Sequence, residues 1–276
     1  MERLINIDRR IIFVFVFLGV AAPLLMDLHL PIKPTPIVRA VYDEIERVAA
    51  EDHERPVLLS FSFGASTQPE MAPMIRAVVR HLFSRKLKVI GLCLWPEAVG
   101  IAQPIMDELA AEYGMEYGED YAFLGYKPGA YAVILNLGQS LSGTFPFDTE
   151  GTPVGDLPVT RGVGNLRDFS FVYDFAAGDS IEFWWIPYGQ EKHRFSFAGG
   201  CTAVMAPDLY PFLQSGQMKG LLGGLAGAAE YEALVGVPGM ATTGMQPQSV
   251  THIIIILFII VGNAVYFITR RRGNPA

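Results

Sequence analysis

The chain has 276 residues, of which 21 are basic, 28 are acidic and 51% are hydrophobic. Six of the basic and two of the acidic residues lie in the two chain ends, so the middle carries 15 basic and 26 acidic residues, a net charge of −11. Such a middle repels nucleic-acid phosphates and anionic lipid, which argues against nucleic acid as a partner.

The first predicted element is an apolar stretch, Ile11–Met26, that follows Arg9 and Arg10. A cleaved signal peptide is one interpretation, because a positive segment precedes a short apolar run. The run has no good cleavage site of small residues, however. We therefore predict an uncleaved transmembrane helix over 11–28, between a cytoplasmic N-terminus at 1–10 and a proline-rich linker at 29–36.

Residues 37–239 repeat an order of apolar run, small or polar turn, and amphipathic helix. A predicted helix at Ile37–Ala50 comes first, and the predicted strands are Pro56–Phe63, Lys88–Trp95, Tyr121–Tyr126, Phe169–Ala177 and Arg194–Gly199. Strands that are apolar throughout and alternate with helices are typical of a parallel sheet covered on both faces. We predict an α/β fold: a Rossmann-like, doubly wound domain with a mostly parallel five-stranded sheet and helices on both faces.

One connection departs from this alternation of strands and helices. The segment at 143–168 is too long and too rich in Pro and Gly for an ordinary link between a helix and a strand. Long loops of this kind often have a function, so we interpret it as a lid or a docking arm. A plain surface excursion is the alternative.

Right-handed crossovers bring the carboxyl ends of all five strands to one edge, where doubly wound folds bind ligands. The side chains expected at that edge are Ser62, Ser66, Thr67, Trp95, Glu97, Tyr126, Lys127, Asp174, Asp179, Ser180, Cys201 and Thr202. The candidate ligand-binding residues among them are Ser66, Thr67, Lys127, Asp174 and Cys201. Capping of helix amides is the structural alternative for the Ser, Thr and Asp residues.

Cys201 is the candidate catalytic residue, because a cysteine at a helix N-terminus can have a lowered pKa. It lacks a base. His193 lies at the opposite end of the same predicted strand, roughly 20 Å away at about 3.3 Å per residue, and none of the five histidines falls on the candidate edge. The two cysteines form no CxxC motif, and we predict no disulfide, no metal and no cofactor.

The segment Gly220–Glu232 is predicted to be a helix despite four glycines. At 100° per residue, Met218, Leu221, Leu222 and Leu225 share one side, and Gly220, Gly223, Gly224 and Gly227 lie almost opposite. A glycine face lets another backbone approach closely. We predict an interface with a second subunit there; a neighbouring helix of the same domain is the alternative.

A second transmembrane helix is predicted at 250–269, after a linker at 240–249 and before a cytoplasmic end at 270–276. Asn263 within it favours a helix partner over lipid. Arg9 and Arg10 precede the first span and Arg270–Arg272 follow the second, so both termini are predicted to be cytoplasmic and the domain periplasmic or extracellular. The predicted location is a bacterial or archaeal cytoplasmic membrane.

These observations favour a membrane-anchored, non-catalytic scaffolding subunit of a cell-envelope complex. Its predicted partners are the lipid bilayer, further copies of itself and other membrane proteins. Two alternatives stay open: a membrane-tethered hydrolase that uses Cys201, and an extracytoplasmic ligand-binding module.

Overall fold

Six parallel strands form the centre of the domain in the computed structural model, which describes residues 9–26 and 32–272, with side chains to residue 268. The strands are β1 (Val57–Ser62), β2 (Val89–Cys93), β3 (Tyr121–Tyr126), β4 (Phe171–Ala176), β5 (Phe197–Cys201) and β6 (Leu221–Gly223). Their order in the sheet is β3-β2-β1-β4-β5-β6. The predicted parallel α/β architecture is confirmed, but the sheet has six strands where five were predicted.

The helices of the chain are α1 (Arg9–Met26), α2 (Pro36–Glu51), α3 (Gln68–Ser84), α4 (Val99–Tyr113), α5 (Tyr131–Leu137), α6 (Leu141–Thr144), a π-helix (Ser180–Gln190), α7 (Glu191–His193), α8 (Ala206–Gln214), α9 (Gly224–Val235) and α10 (Met240–Arg272). The chain divides into two compact units. One is the α/β domain, Ile32–Ala241, and the other contains α1 and α10 from Thr242 onward.

Both faces of the sheet are covered, because β1, β2, β4 and β5 are buried along their whole length. On one face, the Phe61 ring stacks on Phe175 at 5.2 Å and on Phe123 at 6.0 Å, and α3 packs beside α4 and α9. On the other face, Leu58 and Val172 belong to a core that includes Trp185 of the π-helix. Side chains alternate between the faces, as the strand geometry requires.

The sixth strand corrects the prediction of a helix over Gly220–Glu232. Leu221–Gly223 pairs with Gly199–Cys201 of β5, and α9 begins only at Gly224. A Cβ added to Gly220 would lie 2.7 Å from the Ile37 carbonyl oxygen, and Gly224 has φ +58°, a conformation that favours glycine. The glycines are therefore explained by contacts inside the domain, and the argument from them to a second subunit loses its basis.

The long segment at 143–168 is packed against the sheet. It consists of short 3₁₀ turns at Val154–Asp156, Pro158–Thr160 and Leu166–Asp168, and the buried side chains Phe145, Val154, Leu157, Val159 and Leu166 join the core. This segment completes the crossover from β3 to β4. It covers one face of the sheet in place of a regular helix.

The prediction of two membrane spans is corrected to one candidate. Of the described helices, only Met240–Ile268 within α10 is long and apolar enough to cross a bilayer. The described α1 has 18 residues, but Arg9 and Arg10 begin it, and its apolar part is shorter than the roughly 17 to 25 residues that a span needs. Instead, α1 packs on α10, with the rings of Phe15 and Phe258 6.0 Å apart.

Replacing Gly220 tests the close contact at the start of β6. Gly220→Ala would bring its Cβ against the backbone of α2, so we expect a loss of about 1 to 3 kcal/mol in the free energy of unfolding. Gly100→Ala is the matched control, since nothing lies within 4 Å of the added Cβ. Alanine should stabilise this helical position by about 0.5 to 1 kcal/mol. Thermal unfolding of both full-length variants in mild detergent checks this, and equal effects would contradict it.

Candidate functional site

The expected site is the carboxyl edge of the sheet where β1 and β4 end side by side, with Ser62 paired to Ala176. The chain leaves these two strands in opposite directions, which creates the crevice that binds nucleotides in doubly wound folds. The turn after β1, Gly64–Thr67, leads into α3. In such folds its backbone amides receive a phosphate.

Two side chains of the chain itself, Trp95 and Glu97, lie at this crevice. The Glu97 carboxylate accepts a hydrogen bond from the Ala65 amide, with 3.1 Å between Oε2 and N, and contacts Gly64. The Trp95 ring covers the β4 side, where a Cβ added to Gly178 would lie 2.8 Å from Trp95 Cζ2. An exposed carboxylate therefore lies at the turn where such folds bind a phosphate, and its charge disfavours an incoming anion.

Below the crevice lies a fully buried polar cluster around Asp174. Its carboxylate accepts hydrogen bonds from Ser62 Oγ at 2.9 Å and from Ser180 Oγ at 2.5 Å. Trp185 Nε1 donates to Ser60 Oγ at 3.1 Å beside them. Burial raises the pKa of Asp174 to about 6, although the surrounding hydroxyl and indole donors act in the opposite direction. Asp174 is thus a satisfied core acid that no ligand reaches in this structure.

The other candidate residues do not converge on one point. Lys127 donates to the Thr144 carbonyl oxygen, and the Thr67 hydroxyl donates to the Gly64 carbonyl oxygen at 2.9 Å. Ser66, Tyr126 and Asp179 are exposed, and Thr202 is buried beside Cys201. The capping alternative is not confirmed for the helix starts at this edge, because neither Thr67 nor Asp179 accepts a hydrogen bond from a helix amide through its side chain. The edge does not assemble a nucleophile with a base.

Cys201 is fully buried, and burial raises the pKa of its thiol to about 12. Cys93 is also free and buried. The thiolate is the nucleophilic form of cysteine, so neither side chain has the environment of a catalytic cysteine. Within the described part of the chain, no group of three His, Cys, Asp or Glu side chains could hold a metal ion.

Sequence reasoning missed a buried network between three helices. His81 Nδ1 lies 2.8 Å from the Tyr231 hydroxyl, His81 Nε2 lies 2.7 Å from Glu46, and the ring stacks on Tyr42 at 4.5 Å. Burial lowers the pKa of His81, although the hydrogen bond to Glu46 and its charge act in the opposite direction. The network joins α2, α3 and α9. Only the position of His81 on the apolar side of a predicted helix could have indicated it.

A cavity of about 440 Å³ lies at the opposite, amino edge of the sheet. Its walls carry charges of both signs, including Glu54, Lys88 and Asp168. These charges already have partners: Lys88 lies 3.7 Å from Glu54, and the Asp168 carboxylate accepts from the Gly164 and Asn165 amides. The residues that line the cavity therefore do not indicate which kind of ligand it would bind.

The parallel strand order and the paired ends of β1 and β4 define a Rossmann-like α/β domain, here joined to one candidate membrane helix. No family model, curated protein or solved structure matches the chain. The argument for function therefore rests on the residues themselves.

Replacing Asp174 tests the buried acid. A raised folded pKa means that stability is lost as pH rises from about 4 to about 6, because the folded state then holds a buried charge. Relative to the native chain, Asp174→Asn should gain about 2 to 3 kcal/mol in unfolding free energy across this range and stay constant above it. Exposed Asp208→Asn is the control and should show a much smaller change. Unfolding measured against pH checks both, and a pH-independent difference for Asp174→Asn would be evidence against the buried charge.

Thiol labelling tests the burial of Cys201. We expect both cysteines to react with a thiol reagent at neutral pH only as fast as the chain unfolds, since both are buried and have raised thiol pKa values. Mass spectrometry of labelled peptides, with and without denaturant, distinguishes the two sites. Rapid labelling of folded Cys201 would revive the hydrolase hypothesis.

Proposed function

We propose that the chain is a membrane-anchored, non-catalytic structural subunit of a cell-envelope complex. In this proposal α10 holds the chain in the bilayer, and the Rossmann-like domain serves assembly in place of catalysis. The observation that carries the proposal is the hydrogen bond from the Ala65 amide to the Glu97 carboxylate, because an acid at this turn disfavours the phosphate that a nucleotide enzyme of this fold binds there.

The electrostatics of the first turn support the same conclusion. A phosphate at a helix N-terminus is stabilised by free backbone amides and by the positive end of the helix dipole. Here one of those amides already donates to a carboxylate, and Glu70 adds a second negative charge in the first turn of α3. The carboxylates of Glu97 and Glu70 both disfavour a nucleotide phosphate at this turn.

Catalysis through Cys201 receives no support from the geometry. The thiol is buried, its pKa is raised to about 12, and its nearest charged influences, Glu70 and Asp208, are acids that disfavour the thiolate. A hydrolase would need a general base within hydrogen-bond reach of the thiol. No such group accompanies Cys201 among the contacts of the described residues.

The anchor also suggests a sidedness. Arg270, Arg271 and Arg272 follow the apolar stretch of α10, and clustered arginines favour the cytoplasmic side. We propose that the C-terminus is cytoplasmic and that the acidic domain lies on the outer side of the membrane. The domain carries a net negative charge and therefore does not favour an anionic partner. That charge is compatible with a location on the outer side of the membrane.

Nucleotide titration of the full chain in lipid nanodiscs tests the proposal. Millimolar NAD⁺ or ATP should leave the thermal unfolding midpoint of the domain unchanged, because a ligand that does not bind the folded state cannot stabilise it. The opposing result is a saturable rise in the midpoint that Ser66→Glu removes and Ser66→Ala preserves. That pattern would place a nucleotide on the first turn, since a second carboxylate there would repel it.

A further inference from the structure

One face of α10 contacts α1 and is partly buried by it. Gly19 of α1 lies against Ile254 and Val250 of α10, and Phe15 meets Phe258 in an edge-to-face ring contact. Val250, Ile254 and Phe258 are spaced four residues apart, so they form one side of the helix. Asn263 follows Ile254 by nine positions. At about 100° per residue, it points away from α1, on the opposite side of α10.

The side that carries Asn263 is otherwise apolar and open. Its neighbours three, four or seven positions away are more than half exposed; they are Ile256, Ile259, Ile260, Tyr266 and Phe267. The Asn263 side chain is also exposed and has no hydrogen-bond partner among the described residues. Beside it, a Cβ added to Gly262 would meet nothing within 4 Å. A primary amide thus stands in an apolar stripe with open space at the backbone.

This amide lies well inside the lipid if α10 spans the bilayer, as the proposed function requires. Arg270 follows Asn263 by seven positions, which places the amide roughly 10 Å from the charged end at about 1.5 Å per residue. The hydrocarbon layer is about 30 Å thick. An amide at that depth has no water to bond, so it favours a partner within the membrane.

We propose that Asn263 and the stripe around it form the contact between two copies of this chain. Both copies insert with the same orientation, since the same arginines set it, so their α10 helices run parallel and place Asn263 at one depth. A primary amide carries both donors and an acceptor. Two such amides related by a two-fold axis can therefore satisfy each other. This inference rests on the proposed membrane anchor and adds the partner and its contact.

The test is energy transfer between full chains labelled with donor or acceptor at the C-terminus and reconstituted in neutral lipid vesicles at decreasing protein-to-lipid ratios. The native chain should associate, and Asn263→Leu should weaken association about tenfold. Asn263→Gln, which keeps an amide, should retain most of it. The double variant Asn263→Leu with Ile259→Asn moves the amide one turn along the same stripe and should recover part of it. Leu257→Ile, about 120° away from Asn263 around the helix and equally exposed, is the matched control and should behave as native.

A native chain that stays monomeric at every ratio would overturn the inference, as would equal association of native and Asn263→Leu. The first result would leave a different membrane protein as the partner of the amide. Flotation of the chain with the vesicles separates these failures from failure of the proposed function. A chain that does not float lacks the anchor, whereas a chain that floats without Asn263-dependent association loses only this contact.

Discussion

The exposed apolar surface of α10 is the constraint on which the rest of this account depends. None of the most apolar window of the helix is buried in the protein. A surface of that size in water would drive aggregation, whereas in lipid it is solvated and the helix satisfies its own backbone hydrogen bonds. The proposed bilayer location of α10 accounts for both its length and its exposure. It also makes the single amide of Asn263 informative, because the same amide in water would need no partner.

The domain has the strand order of a nucleotide-binding fold, but the side chains at the usual binding edge disfavour a nucleotide phosphate. Six parallel strands with order β3-β2-β1-β4-β5-β6 create a crevice between β1 and β4. In this chain Trp95 and Glu97 contact the turns on either side of the crevice, and Asp174 with its serine partners is buried below it. Fold alone does not define function, and here the side chains at the edge argue against the chemistry that the topology most often supports.

The five long strands were predictable because each is an uninterrupted apolar run bounded by turn residues. The sixth was not, since β6 has only three residues, two of them leucines beside glycines, and the helix that follows offers the longer pattern. The glycines were correctly seen to permit close approach, but which backbone approaches Gly220 is a property of tertiary packing. The first apolar segment shows a similar limit, because its length was marginal in the sequence and stays short of a span in the described helix.

The position of the candidate site was predicted from the sequence, but the chemistry of its residues was not. The carboxyl edge does collect the expected turns, and Cys201 ends β5, but Asp174 lies within β4, two residues before its end. Burial decides their chemistry, however: a buried core cysteine was the default expectation for Cys201, whereas the full burial of Asp174 was not predicted. Trp95 and Glu97 were expected at the edge, yet their contacts with Gly178 and Ala65 join segments far apart in the chain. The His81 network between α2, α3 and α9 depends on long-range packing in the same way.

Alkaline carbonate extraction of membranes that contain the full chain tests the central claim most directly. This treatment releases proteins that are held to a membrane by surface contacts and leaves spanning helices in the lipid. The account predicts that the chain stays in the membrane pellet, because the apolar side chains of α10 are surrounded by hydrocarbon. Quantitative release of the intact chain into the supernatant would contradict it, and the anchor and the Asn263 contact would then fall together.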